Sequence, residues 1–141
     1  MTFEGDIEEV FRAPLIAKED AFGATFHLFS NNIFYVVLPS YEKVDGRIVE
    51  FGYSFLGKYG TGSFRNIYHF GSFTDFEEGI REWAADPNGN KLTISDAVII
   101  KNPGQQIMTD FYLKHNQPVK PTAIFFSMEE AIEWSLNQTE G

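Results

Sequence analysis

The chain contains no cysteine. Disulfide staples, thiol nucleophiles and thiolate metal sites are therefore excluded. Basic residues are scarce: 11 Lys and Arg stand against 20 Asp and Glu, a formal net charge of −9. An acidic chain repels phosphate backbones, and no basic run offsets this, so nucleic acid is not an expected partner. No apolar run approaches the roughly 20 residues that a membrane-spanning helix needs. The acidic opening MTFEGDIEEVF lacks the basic start and apolar core of a secretory signal. A cytoplasmic protein without membrane contact is expected. Catalytic patterns are missing as well. No G-x-S-x-G nucleophile elbow occurs. His27, His69 and His115 show no ligand spacing such as i, i+4. The carboxylates Asp75, Glu77-Glu78 and Glu129-Glu130 fall in first turns of expected helices, where the helix dipole accounts for them. No metal, no cofactor and no enzymatic activity are expected.

What is present fits one domain over residues 1–141. Hydrophobic residues make up 43% of the chain and charged residues 22%, which argues against disorder. Aromatics reach 16%, with 15 Phe. Thick Phe-based packing is their ordinary use, and an aromatic-lined ligand pocket is the other.

The most legible stretch is Leu92–Leu136. Ile94–Ile100 is rich in Val and Ile, as in a strand buried on both faces. Asn102-Pro103 reads as a helix start, with Asn as cap and Pro at the first helical position. Ile107, Met108, Phe111 and His115 then share one helical face, and Asn116 followed by Pro118 ends the helix. Pro121 stands at the entrance of a second apolar run, Ala123–Phe126. Ser127-Met128-Glu129-Glu130 has the capping-box pattern, with Phe126 and Ala131 at staple positions. Met128, Ala131, Ile132 and Leu136 face one way. Strand–helix–strand spacing of this length implies parallel pairing with a right-handed crossover. Ile99, Ile107, Phe111, Ile124 and Ile132 are expected to be buried together, with Phe111→Ala costing about 3–5 kcal/mol.

Upstream, residues 1–20 carry six acids and two bases. Phe3, Ile7, Val10 and Phe11 fit a helical face that Pro14 interrupts. The segment reads as a short helix, an extra edge strand or an arm packing on a second subunit. Ala24–Phe29 and Ile33–Leu38 read as a β-hairpin, since Asn tolerates positive φ in the turn Ser30-Asn31-Asn32. Tyr41–Lys58 reads as an amphipathic helix capped by Ser40, in which Gly46 and Gly52 cost about 1 kcal/mol each relative to Ala unless they permit close packing or a kink. Arg65–Phe70 reads as a strand. Thr74-Asp75-Phe76-Glu77 repeats the capping-box pattern, opening a helix through Phe76, Ile80 and Trp83 that stops before Pro87. Asn88-Gly89-Asn90 is a turn. The order is β-β-α-β-α-β-α-β-α.

Gly52-Tyr53-Ser54-Phe55-Leu56-Gly57-Lys58-Tyr59 comes within one residue of a P-loop. Tyr59 replaces the magnesium-binding hydroxyl, and the match lies inside an expected helix, so no nucleotide site is expected there. Gly57–Gly62 is equally weak as a phosphate cradle. The hairpin carries Phe26, Phe29, Phe34 and Tyr35 with no lysine or proline to protect an edge. A homodimer is therefore expected, with the hairpin or the N-terminal arm reaching the partner.

The element order and the wording SDAVIIKNPGQQIMTDFYLKHNQPVKPTAIFFSMEEAIEWSL resemble the STAS/SpoIIAA-like superfamily, and more narrowly its small uncharacterised bacterial proteins. The resembling residues are Ala97, Phe111–Pro118, Pro121–Phe125 and Ala131–Trp134, within a stretch from about Ser63 to Leu136. The resemblance implies an α/β fold of SpoIIAA-like type: a mixed sheet, about four helices, and an N-terminal hairpin followed by β-α repeats. It also implies a non-enzymatic regulatory role through a protein partner, or carriage of a small apolar or nucleotide ligand. In anti-sigma-factor antagonists a phosphorylatable serine opens a helix after a strand. The equivalent place here, His69–Asp75, lacks that motif but offers Ser72 and Thr74. His69 lies near the end of a strand, where open α/β sheets place ligands. His69, Ser72, Thr74 and Asn102 form the candidate ligand or partner surface.

Overall fold

The computed structural model describes residues 3–40, 43–76, 92–116 and 120–139. Helix α1 (Phe3–Phe11) leads into strands β1 (Leu15–Ala21), β2 (Ala24–Phe29) and β3 (Ile33–Val37). Then come β4 (Lys43–Val44), helix α2 (Gly46–Tyr59), β5 (Phe64–His69) and β6 (Asp75–Phe76). The chain closes with β7 (Thr93–Ile99), helix α3 (Pro103–Asn116), β8 (Thr122–Phe125) and helix α4 (Met128–Leu136). Six strands form one sheet in the order β1-β2-β3-β5-β7-β8, and β4 pairs with β6 separately. β1, β2 and β3 are antiparallel; β3, β5, β7 and β8 are parallel. The class is α/β with a mixed sheet and four helices among the described residues.

The N-terminal segment resolves into both a helix and an edge strand. Ile7 and Phe11 of α1 are buried, while Val10 is exposed. Phe11 stacks on Phe29 with ring centroids 4.4 Å apart. β1 joins β2 through Phe22-Gly23, both at positive φ (53° and 80°), as a two-residue hairpin turn of this hand requires. Phe22 tolerates that conformation while its ring meets Phe51 and lies under the Arg47 guanidinium. The expected hairpin is β2–β3, and Asn32 in its turn has φ 63°. Its expected place at an open edge is corrected. β2 lies between β1 and β3, and β3 between β2 and β5. The edge belongs to β1, whose Ile16, Lys18 and Asp20 are exposed, so charge protects it. A second copy is not needed to cover the hairpin.

Each sheet face carries a core. On one face Phe26, Phe34 and Val36 meet Ile48 and Phe55 of α2. Gly52 lets the helix lie close, since a Cβ there would stand 3.6 Å from the Phe26 and Phe34 rings. On the other face Phe29, Ile33, Tyr35, Ile67, Ala97 and Ile99 meet Phe11 of α1 and Ala131 and Ile132 of α4. Ser95 of β7 and Ser135 of α4 are fully buried, and their hydroxyls have no hydrogen-bond partner. Helix α2 starts later than expected. Lys43-Val44 pairs with Asp75-Phe76, and Asp45 rather than Ser40 is the cap, accepting from Arg47 N at 2.9 Å. Tyr41, the helix from Glu77 towards Pro87, the Asn88–Asn90 turn and Pro118 lie outside the described residues.

Helices α3 and α4 begin where expected. Asn102 Oδ1 accepts from Gln105 N at 3.0 Å, and Ser127 Oγ from Glu130 N at 3.4 Å. Their burial differs. Met128, Ala131, Ile132 and Leu136 of α4 all join the second core. On α3, Ile107 is 71% exposed, Phe111 62% and Met108 42%, so the expected burial of Ile107 and Phe111 with Ile99 and Ile132 is corrected. Among the α3 side chains whose burial is described, the buried one is Gln105, on the opposite flank. The period of α3 marks an apolar stripe, but the hydrogen bonds of its first turn orient it. Phe126, at the expected staple position, is 56% exposed.

Candidate functional site

The parallel strands end on one edge of the sheet, and the loops that follow them meet there. After β5 the chain turns through Gly71–Thr74. Gly71 N donates to Thr74 Oγ1 at 2.7 Å, and that hydroxyl donates to the Pro39 carbonyl at 2.7 Å. Thr74 is thus buried, and the residues after it enter β6. Its expected roles as helix cap and as surface hydroxyl are both corrected, because Gly71 and Pro39 already occupy its oxygen. Gly71 presses on Ser40: a Cβ there would stand 2.5 Å from Ser40 Oγ, so only glycine permits the approach.

The start of α3 clasps the same turn. Asn102 Nδ2 donates to the Ser72 carbonyl at 3.1 Å. Gln105 Nε2 donates to the Gly71 carbonyl at 2.7 Å, while Gln105 Oε1 accepts from Lys101 N at 2.7 Å. Ser72 itself is exposed, and Phe73 beside it is 64% exposed. Of the four expected residues, Ser72, Thr74 and Asn102 are therefore brought together by direct hydrogen bonds or one residue's separation. Gln105, which ties them, was not singled out by sequence. Its signal was a glutamine at the third helical position after an Asn cap.

His69 lies at the end of β5, on the face carrying α1 and α4. Its Nδ1 is 2.6 Å from Tyr35 Oη. Burial and the Lys101 charge push the imidazole down to about 4, and burial pushes the Tyr35 phenol up to about 12. Both groups are neutral at neutral pH. The phenol is the stronger donor, so the hydroxyl donates and the ring proton rests on Nε2. His27 donates from Nδ1 to the Tyr35 carbonyl at 3.1 Å and is lowered chiefly by burial. Tyr35 of β3 thus meets the rings of His27 on β2 and His69 on β5. Among the described residues, no three His, Asp or Glu side chains gather to hold a metal.

The opposite face holds polar groups that sequence reading passed over. Asn66 of β5 donates from Nδ2 to Asp96 Oδ1 at 3.0 Å and to Thr93 Oγ1 at 3.1 Å. Burial pushes the Asp96 carboxyl up to about 6, and the Asn66 bond works against that rise. Water still reaches part of Asp96. A lone Asp inside the apolar run Ile94–Ile100 was the available signal. The P-loop-like stretch Gly52–Tyr59 lies wholly within α2, where backbone N–H groups are committed to the helix. A phosphate cradle needs a strand-to-helix loop instead.

The chain belongs to the family described as Domain of unknown function (DUF7793), whose model matches residues 61–139. The match runs from the loop before β5 to beyond α4, the parallel half of the sheet. No curated protein and no solved structure matches the chain.

Proposed function

We propose that this family member is a non-enzymatic binding and regulatory module of the cytoplasm that acts through contact with another protein. The surface is the edge where the parallel strands end, centred on Ser72, Phe73, Asn102 and Phe126. One observation carries the reading: the side-chain polar groups of Thr74, Asn102 and Gln105 there are spent on holding the loops, while Phe73 and Phe126 stand largely exposed. Large exposed aromatics on a rigid base are what protein partners bury. A SpoIIAA-like fold is supported by β3, β5, β7 and β8 lying side by side in chain order, the path of a strand–helix superhelix. No helix among the described residues is long and apolar enough to cross a membrane.

The test is affinity capture from the native cell with wild type and with Phe73→Glu/Phe126→Glu, each first shown folded by circular dichroism. Wild type is expected to retain a defined protein that the double variant loses. Equal retention by both would remove this surface from the reading. Failure of wild type to retain any specific protein would overturn the protein-contact role itself.

A further inference from the structure

The six-stranded sheet ends in β1 on one side and in β8 on the other. The two edges are not alike. β1 exposes Ile16, Lys18 and Asp20, and its pairing with β2 has an irregularity between Leu15 and Ala17. Charge and irregular pairing keep an edge from accepting another strand. β8 has neither. No residue from Pro121 to Ser127 is charged, and Thr122–Phe125 pairs with β7 without interruption. Asp96 N donates to the Pro121 carbonyl and Ile100 N to the Phe125 carbonyl, both at 2.9 Å. The backbone groups of successive strand residues turn to opposite sides. Pro121, Ala123 and Phe125 therefore face β7, and Thr122 and Ile124 face outward. Among the described residues, nothing bonds to the outward N–H and C=O groups of Thr122 and Ile124. The missing N–H of Pro121 lies on the β7 side, so this proline does not blunt the open edge.

We propose that β8 pairs with β8 of a second copy, antiparallel across a two-fold axis at Ala123, so that one sheet runs through a dimer. With Thr122 of one copy opposite Ile124 of the other, each such pair exchanges both of its N–H···O bonds. The groups that bond are the ones left unpaired in the single chain, so the edge is its own complement. Charge favours the same arrangement. Two copies at −9 each repel, and they meet best along a line that carries no acid. Lys120 precedes β8, and Glu129 and Glu130 follow it in the first turn of α4. Antiparallel pairing sets Lys120 of each copy towards the end of the other β8 that leads to those carboxylates. Parallel pairing would set lysine beside lysine. The charged β1 edge refuses the other possibility, a head-to-tail contact of β8 with β1 that would propagate without closing. β8 is only four residues long, so the dimer is weak, with a Kd of about 10–100 μM. This lateral edge is separate from the loop edge of the proposed protein contact, and the variants below spare Phe73 and Phe126, so either reading can fail without the other.

The experiment is sedimentation of the full chain from about 1 μM to about 300 μM, with amide hydrogen exchange read at both ends of that range. A monomer–dimer equilibrium is expected. The Thr122 and Ile124 amides should exchange quickly in the dilute sample and several-fold more slowly in the concentrated one, with Ala123 and Phe125 protected in both. Thr122→Pro removes an N–H that no bond within the chain uses, and is expected to abolish the dimer in a folded protein. Lys120→Glu is expected to weaken the dimer about tenfold, and Glu129→Lys with Glu130→Lys in the same chain to restore it. A strictly monomeric wild type would overturn the proposal. So would a dimer in which Thr122 and Ile124 keep their dilute exchange rates, a folded Thr122→Pro that still dimerises, or species that grow beyond dimers. Should Thr122→Pro fail to fold, wild-type exchange and the charge reversal still decide the question.

Discussion

Helix α3 follows β7 and helix α4 follows β8, and each starts at a side-chain cap, Asn102 in one and Ser127 in the other. Each has apolar residues at helical spacing. In α4 that stripe is Ala131, Ile132 and Leu136, and it lies on β5, β7 and β8 as part of a sealed core. In α3 the stripe is Ile107, Met108 and Phe111, and it faces largely outward. The difference comes from how the two are anchored. α4 packs on the face that also carries α1, with Ala131 and Ile132 against Ala97 and Ile99. α3 is instead turned by Gln105, whose amide holds Gly71 and Lys101. A cap and a period specify that a helix forms and that it has a stripe. They do not specify which stripe meets the sheet.

The largest effect expected from this contrast is at Ile132 of α4, which is fully buried. Ile132→Ala removes atoms from a core that cannot collapse around the gap, and is expected to cost about 3–4 kcal/mol in denaturant melts. A loss below about 1 kcal/mol would mean that α4 is no better packed than α3 and would end the comparison.

The two faces also differ in the sign of their response to acid. Asp96, on the face of α2, is raised from 3.8 to about 6. Below the unfolded value both states hold its proton. Between about 4 and 6 the folded state holds it and the unfolded state does not, so stability falls as pH rises through that window. His69, on the face of α4, is lowered from 6.5 to about 4. There the unfolded state binds the proton first, so stability is lost as pH falls from 6.5 towards 4. His27 is lowered too and acts in the same sense as His69. The two faces oppose each other between pH 4 and 6. Asp96→Asn is expected to stabilise the protein by about 2 kcal/mol at pH 7, allowing for the water that reaches the group. The same variant should lose stability more steeply than wild type on acidification from pH 6 to 4. His69→Gln should lose less than wild type over that range. Parallel pH profiles for all three proteins would show that neither buried group is perturbed as described.

Much of this was legible in the chain. Ala24–Phe29, Ile33–Val37 and Ile94–Ile99 read as strands because β-branched and aromatic residues run between turn signals, and Asn102 and Ser127 read as caps. β1 was harder, since Leu15–Ala21 alternates half-buried with exposed residues and includes Lys18, Glu19 and Asp20. Its turn, Phe22-Gly23, puts a phenylalanine at positive φ, which packing against Phe51 and Arg47 permits and local preference does not. β4 and β6 are two residues each and exist only because they find one another. Thr74 read as a cap because its hydroxyl, seen in sequence alone, has no better use than the N–H groups after it. In the fold it has two. Of the candidate surface, Ser72 and Asn102 were readable from their place after strands. Gln105 and the Asn66–Asp96 pair were not, because each gains its meaning from a neighbour about 30 residues or more away in the chain.

The smallest expected effect is at Ile107, and it bears most directly on the contrast. Periodicity alone assigns Ile107 to the core, where truncation costs several kcal/mol. In the structure it is 71% exposed, so the atoms removed by Ile107→Ser already meet water in the folded state. The change is expected to lie within about 0.5 kcal/mol of wild type, apart from a few tenths for the lower helix preference of serine. Met108, 42% exposed on the same stripe, should respond only slightly more strongly to Met108→Ser. Chemical denaturation of Ile107→Ser beside Ile132→Ala makes the measurement internal: both remove an isoleucine from a capped helix that follows a strand. A ratio of losses near one would show that α3 packs as α4 does, with its stripe turned to the sheet. A loss at Ile132 several times that at Ile107 would leave the orientation of α3 to Gln105 and its partners at Gly71 and Lys101.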